Sequence, residues 1–223
     1  MKSKKDVESK QLADKIAGKL FKLFDVDRFR NLVRKFIGEK YGEGIDGIEK
    51  QLQINVDFAS NTRNLSMLDN YVFDNIKGVT EEMQEDLRQE LQRGIMENDS
   101  AAGLKKRVAD IFRGKNPTRF NFQNRMKMIV RTEGKRAINM AKYQGAMDSR
   151  RPLYKYLQVK MDGRTSEICR KEHAKYGEKS LAIPMRKKFT VNAGGKDYTA
   201  QYPPFHPNCR SSVVITQNPK EKL

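Results

Sequence analysis

Tryptophan is absent from this chain, and cysteine and histidine are scarce, with two of each in 223 residues. Two cysteines cannot build the dense disulfide framework of a small secreted domain. Two histidines leave little imidazole for a catalytic cluster. No apolar run approaches the ~20 residues that a membrane span requires, and mean hydropathy is −0.80. The basic start, MKSKKDVESK, is not followed by an apolar stretch, so no secretory signal is expected. These absences point to a reducing cytoplasm, or a particle assembled in one, and to no membrane partner.

What the sequence does have is positive charge, unevenly placed. Residues 1–100 carry 17 basic and 19 acidic side chains, whereas residues 101–223 carry 28 and 9. The whole excess of +17 therefore lies in the second part. A field of that sign concentrates polyanions, and double-stranded DNA is the polyanion such a chain most readily meets. A solvated basic surface that serves only solubility is the plainer alternative.

The first part reads as helix. Leu12, Ile16, Leu20, Leu23 or Phe24, Leu32, Phe36 and Ile37 recur at helical spacing. The glycines of Gly42 to Gly47 (GEGIDG) are expected to interrupt the pattern. A short helix is predicted over 67–76. Thr80 is a candidate N-cap for another, with Glu81 and Glu82 in its first turn and Met83, Leu87, Leu91 and Ile95 along one face. Ser100 is a candidate cap for a helix carrying Leu104, Val108, Ile111 and Phe112, ended by Gly114. A long helix is predicted over 122–147.

The pattern then changes. Tyr154 to Met161 alternates with a period near two and reads as a strand, closed by a turn at Asp162-Gly163. A short helix is predicted from Glu167 to Tyr176, a strand from Lys188 to Val191, a hairpin turn at Ala193-Gly194-Gly195 and a last strand from Ser212 to Thr216. The fold class is thus α+β: a largely α-helical N-terminal region over 1–98, a small α+β module over 99–216, and a flexible tail over 217–223.

All four cysteines and histidines fall in that module, as Cys169-Arg-Lys-Glu-His173 and His206-Pro-Asn-Cys209. The first pair is spaced i, i+4 on one face of the predicted helix, and the second forms a tight knuckle about a proline. Two short pairs of thiolate and imidazole separated by a loop are how tetrahedral zinc is held, and four ligands describe a closed, structural site. Two other readings stand beside it. One is that ordinary buried thiols and histidines were brought together by packing. The other is a Cys169–His173 nucleophilic pair, for which no orienting residue is evident. Arg186, Lys187 and Lys188, with Arg210, form a basic set suited to phosphate contacts. Tyr154, Tyr156, Tyr198 and Tyr202 are read mostly as core.

Asp162-Gly-Arg-Thr165, Cys169 and PPFHPNCRS (Pro203 to Ser211), together with Arg131-Thr-Glu133 on the long helix, resemble the C-terminal domain of phage head-morphogenesis proteins, the Mu F-like minor head proteins. The resemblance covers roughly 100–216. Many members end the motif with a further cysteine where this chain has Ser211, and a hydroxyl is a poor zinc ligand beside thiolates. The resemblance implies a minor capsid protein of the virion interior, assembled in the host cytoplasm, with portal protein, DNA and possibly scaffold or major capsid protein as partners. It also marks Arg131, Glu133, Asp162, Arg164 and Thr165 as structural motif residues. A brace of Asp162 or Arg164 against Arg131 or Glu133 is expected to fix the strand to the long helix. Two enzymatic alternatives remain: a metal-dependent nuclease, or an ADP-ribosyltransferase suggested by the Arg-Thr-Glu triplet.

Overall fold

A computed structural model describes residues 10–17, 26–56, 58–113, 122–217 and 219. The chain is α+β. Helix α1, described over residues 10–17, is followed by α2 (Val26–Leu52), α3 (Phe58–Met96), α4 (Ala101–Arg113) and α5 (Phe122–Asp148). Then come β1 (Tyr154–Gln158), α6 (Glu167–Tyr176), a 3-10 turn (Lys179–Leu181), β2 (Ile183–Pro184), β3 (Phe189–Ala193), β4 (Lys196–Ala200) and β5 (Ser212–Thr216). The residues group into two compact units, Met1–Leu32 with Tyr71–Ile129, and Val33–Asn70 with Val130–Leu223.

In the first unit, Met83, Leu87 and Leu91 are buried at every fourth position, as their spacing predicts, while Ile95 is half-buried. Ala13 and Ala17 are the buried residues of α1, and Leu12, read as part of the apolar stripe, is exposed. Leu20, Leu23, Phe24, Gly114 and the side chains of Ile111 and Phe112 lie outside the described residues. Ser100 does cap α4, its hydroxyl accepting from Gly103 N at 3.2 Å. Arg107 on α4 ties the end of α3 to the loop after it, through Asp99 at 2.6 Å, Glu90 at 3.4 Å and Glu97.

Three expected departures from helix are corrected. Thr80 is not a boundary, because α3 runs unbroken through it. A single Gly78 costs a helix only about 1 kcal/mol, too little to interrupt hydrogen bonding on both sides. The polar stretch before Met67 is also helical, and Ser66 satisfies its hydroxyl by donating to Thr62 O at 3.0 Å. Gly42 to Gly47 likewise lie inside α2. The reason is tertiary: a Cβ on Gly44 would stand 2.6 Å from Ile138 O and 2.7 Å from Ala141 Cβ. The glycine lets α2 and α5 approach closely, and Gly145 does the same against Ile48 from the other helix. Leu32 is exposed, while Val33, Ile37, Tyr41 and Ile48 are buried.

The second unit carries an antiparallel sheet of order β2-β1-β5 and a β3-β4 hairpin. In it, β1 and β5 pair in register, Tyr156 opposite Val214. The hairpin turns at Gly194-Gly195, whose φ values of +57° and +75° suit the mirror-image turn that matches strand twist. Leu157, Phe189, Val213, Ile215, Tyr176 and Met185 make the core. Predicted bounds for α6 and β5 match the structure, whereas β1 stops at Gln158, and β2 and β4 had no sequence expectation.

The alternation along β1 points inward at Lys155 and Leu157, both fully buried, so Tyr154 and Tyr156 are only half-buried, as are Tyr198 and Tyr202. The Lys155 ammonium donates to Gln201 O and Oε1, each at 2.7 Å. It lies 4.7 and 4.9 Å from the ring centroids of Tyr143 and Phe189. Burial pulls its pKa down to about 7. No helix among the described residues is long and apolar enough to cross a membrane.

Candidate metal centre

Between β1 and α6 the chain makes a turn held by its own side chains. Asp162 Oδ1 accepts from Arg164 N at 2.9 Å, and Thr165 N donates to Asp162 O at 3.0 Å. The Thr165 hydroxyl accepts from Asp162 N at 2.7 Å and donates to Lys160 O at 2.8 Å. Ser166 then caps α6, accepting from Cys169 N at 3.2 Å. These contacts set Cys169 in the first helical turn, buried and facing the loop that leads into β5.

That loop brings the other two donors. His206 Nδ1 donates to Pro207 O at 2.7 Å, which makes Nε2 the nitrogen turned toward the thiols. Nε2 faces Cys169 Sγ at 3.0 Å and Ser166 Oγ at 2.8 Å. A turn closed by Cys209 N on His206 O, with Asn208 at φ +59°, swings Cys209 back until its Sγ is 3.8 Å from that of Cys169. Ser211 Oγ is 3.4 Å from Cys169 Sγ. The donor atoms of Cys169, His206 and Cys209 all lie within 4.8 Å of one another.

The two thiols and the imidazole perturb one another's protonation. Hydrogen bonding from Cys169 holds the Cys209 thiol below its ordinary range, and the same bond, with burial, holds Cys169 above it. The bond to Cys169 raises His206. A cavity of about 20 Å³, lined in part by Ser166, Cys169, His206, Asn208 and Ser211, adjoins the three donors. That is room for one water-sized body. Two thiols and an imidazole around a single-atom space fit a soft or borderline cation such as zinc.

Three of the four expected ligands thus come together, and His173 is not among them. It lies one turn beyond Cys169, about 6 Å along the helix axis, while the loop meets only the first turn of α6. Its Nδ1 is buried without a hydrogen-bond partner. The expected brace also differs. Arg210 grips both Asp162 oxygens at 2.6 Å and holds that carboxyl well below the usual carboxylate range. Glu133 pairs with Arg136 at 2.8 Å on its own helix, and Arg131 and Arg164 are exposed. Arg210, expected to face nucleic acid, is therefore engaged next to Cys209. Arg186, Lys187 and Lys188 stand exposed between β2 and β3.

Two residues that sequence reasoning missed hold the loop. Asn139, fully buried on α5, donates to Pro203 O at 3.1 Å and to Ser211 O at 3.2 Å, and accepts from Val213 N at 2.9 Å. Thr132 Oγ1 accepts from Asn208 N at 2.9 Å. Thr132 was in view as the middle of the Arg-Thr-Glu triplet, but nothing in the sequence singles out Asn139.

Comparison with known families adds one match. The family model described as Phage Mu protein F like protein covers residues 81–214, more than half of the chain and the whole of this centre. No curated protein and no solved structure matches.

Proposed function

The chain belongs to the phage Mu protein F like family of head-morphogenesis proteins, and we propose that it is a non-enzymatic minor head protein of the capsid interior. In this reading its basic C-terminal part lies against packaged double-stranded DNA, and its helical N-terminal part docks on the portal or another head component. The functional division is placed near residue 99, with a small α+β module over 99–216 following a helical region over 1–98, and the family match reaching back to residue 81.

The observation that carries the DNA contact is the charge distribution, with 28 basic against 9 acidic side chains after residue 100. Arg186, Lys187 and Lys188 are exposed in a link between strands, where cations reach phosphates without disturbing the core. Cys169, His206 and Cys209 would hold a zinc ion. When bound, that ion supplies a cross-link between α6 and the 203–211 loop and neutralises two thiolates. The Asp162–Arg210 pair braces the turn before α6 to the same loop from outside.

A gel assay with supercoiled plasmid, run across salt and with Mg²⁺ or Zn²⁺, tests this reading. The expected result is a shift that weakens steeply between 50 and 200 mM salt, as counterion release requires, with the plasmid left intact. Binding that is flat with salt, or no shift at all, removes the DNA contact. Nicking that disappears in His206→Ala would make the protein a nuclease.

A further inference from the structure

The metal-binding loop has no regular secondary structure between β4 and β5, yet it must hold His206 and Cys209 against Cys169 to within a fraction of an ångström. Its own hydrogen bonds are short-range: Cys209 N on His206 O, the His206 ring on Pro207 O, and the Phe205 and Ser211 main chain on the Cys209 sulfur. Arg210 on Asp162, Ser166 on the His206 ring and Phe205 on the core hold its side chains, while its main chain is held from one face of α5. Thr132 and Asn139 are seven positions apart, close to two helical turns, so they project from the same side. Asn139 fixes both ends of the loop, through Pro203 O before His206 and through Ser211 O and Val213 N after Cys209. Thr132 fixes the middle, taking the amide of Asn208, the residue in the left-handed conformation that turns Cys209 inward. Lys135, on the same stretch, donates to Ser212 Oγ at 3.1 Å.

We infer that Thr132 and Asn139 are positioning residues for the metal centre: α5 is a template that presets His206 and Cys209 for capture of the ion. The inference rests on the reading of Cys169, His206 and Cys209 as metal ligands. Neither residue supplies a donor atom, and both act through main-chain groups. The arrangement also gives the Arg-Thr-Glu triplet a physical task, which lies in its threonine. Glu133 is occupied by Arg136, and Arg131 is exposed.

Preorganisation of this kind sets affinity, because a loop that must be ordered on binding gives up part of the binding free energy to do so. Partners behind metal ligands typically change metal affinity by about 10–100-fold when removed. Thr132→Val keeps the shape of the side chain and deletes the acceptor for Asn208 N, whereas Thr132→Ser keeps the acceptor.

The test uses the full chain at a temperature where circular dichroism shows every variant folded. Zn²⁺ affinity is measured by competition with a chromogenic chelator. Thr132→Val is expected to bind Zn²⁺ about 10–100-fold more weakly than wild type, and Thr132→Ser to recover most of the loss. A purely structural role would lower the melting temperature of both variants without separating them in affinity. A second readout needs no metal. In metal-free protein, Cys169 and Cys209 react with oxidised glutathione, giving one intramolecular disulfide and two molecules of reduced glutathione. The equilibrium constant for that exchange reports how well the thiols are preset, and it is expected to fall about tenfold in Thr132→Val. Wild-type protein that binds no Zn²⁺ would overturn the metal reading alone and leave positioning to the thiol equilibrium. Unchanged Zn²⁺ affinity in Thr132→Val, or an unchanged thiol equilibrium where no Zn²⁺ binds, would overturn the positioning role.

Discussion

Replacing Asn139 by leucine isolates what the buried amide contributes to the module. The two side chains share their heavy-atom count and branching, so the change opens no cavity and its main cost lies in unpaired polar groups. Val213 N loses its acceptor in a site with no exposure to water. A buried donor left unpaired costs about 1–3 kcal/mol. Pro203 O and Ser211 O each lose a donor as well, a milder loss because a carbonyl tolerates one unfilled lone pair more readily than an amide tolerates none. The sum is about 2–5 kcal/mol. In a chain of this size each kcal/mol moves the melting temperature by about 2–4 °C, so Asn139→Leu is expected to melt roughly 5–15 °C below wild type. Thermal denaturation followed by circular dichroism, in chelator so that no metal contributes, measures the shift. A melting temperature within about 2 °C of wild type would refute the reasoning and mean that the loop is held by something other than α5.

Three further outcomes are expected. Lys155 is pulled from the ordinary lysine value of 10.5 to about 7 by burial. The unfolded chain therefore binds a proton that the folded chain does not between about pH 7 and 10.5, and stability should rise with pH across that window. Lys155→Met should flatten the slope in denaturant melts at pH 7 and 9.5, and an unchanged slope would show that another group sets it. Gly44→Ala should destabilise by about 1–3 kcal/mol less the roughly 1 kcal/mol gained in helix propensity. Gly42→Ala, with nothing within 4 Å of the new methyl, should be neutral or stabilising by up to about 1 kcal/mol; equal effects at both sites would contradict the close helix approach. Lys187→Glu with Lys188→Glu should weaken plasmid binding and reduce its logarithmic salt slope by about 2, and a slope equal to wild type would remove this link from the DNA contact.

Much of the module was legible because its signals are local. The short helical pattern from Glu167 to Tyr176 and the β-branched run from Ser212 to Thr216 place α6 and β5 without help from the rest of the chain. Cys169, His206 and Cys209 stood out by residue type alone. Where tertiary contacts decide, the sequence misleads. Gly44 reads as a helix breaker until Ala141 is seen against it, and the alternation along β1 gives no hint that its inward member is a lysine. His173 shares a helix face with Cys169, yet the loop reaches only one turn of that helix. Asn139 was invisible because its partners are main-chain groups more than sixty residues away, and a hydrogen bond to a carbonyl leaves no pattern in the sequence. Arg210 read as a phosphate contact because its carboxylate partner, Asp162, lies 48 positions earlier.

The metal content of the purified chain tests the central claim most directly. Protein prepared without chelators and analysed by plasma mass spectrometry is expected to carry one zinc per chain, lost in Cys209→Ser together with part of the thermal stability. Wild-type protein that carries no zinc, and melts at the same temperature with zinc added as without, would contradict the account of Cys169, His206 and Cys209 as a metal staple.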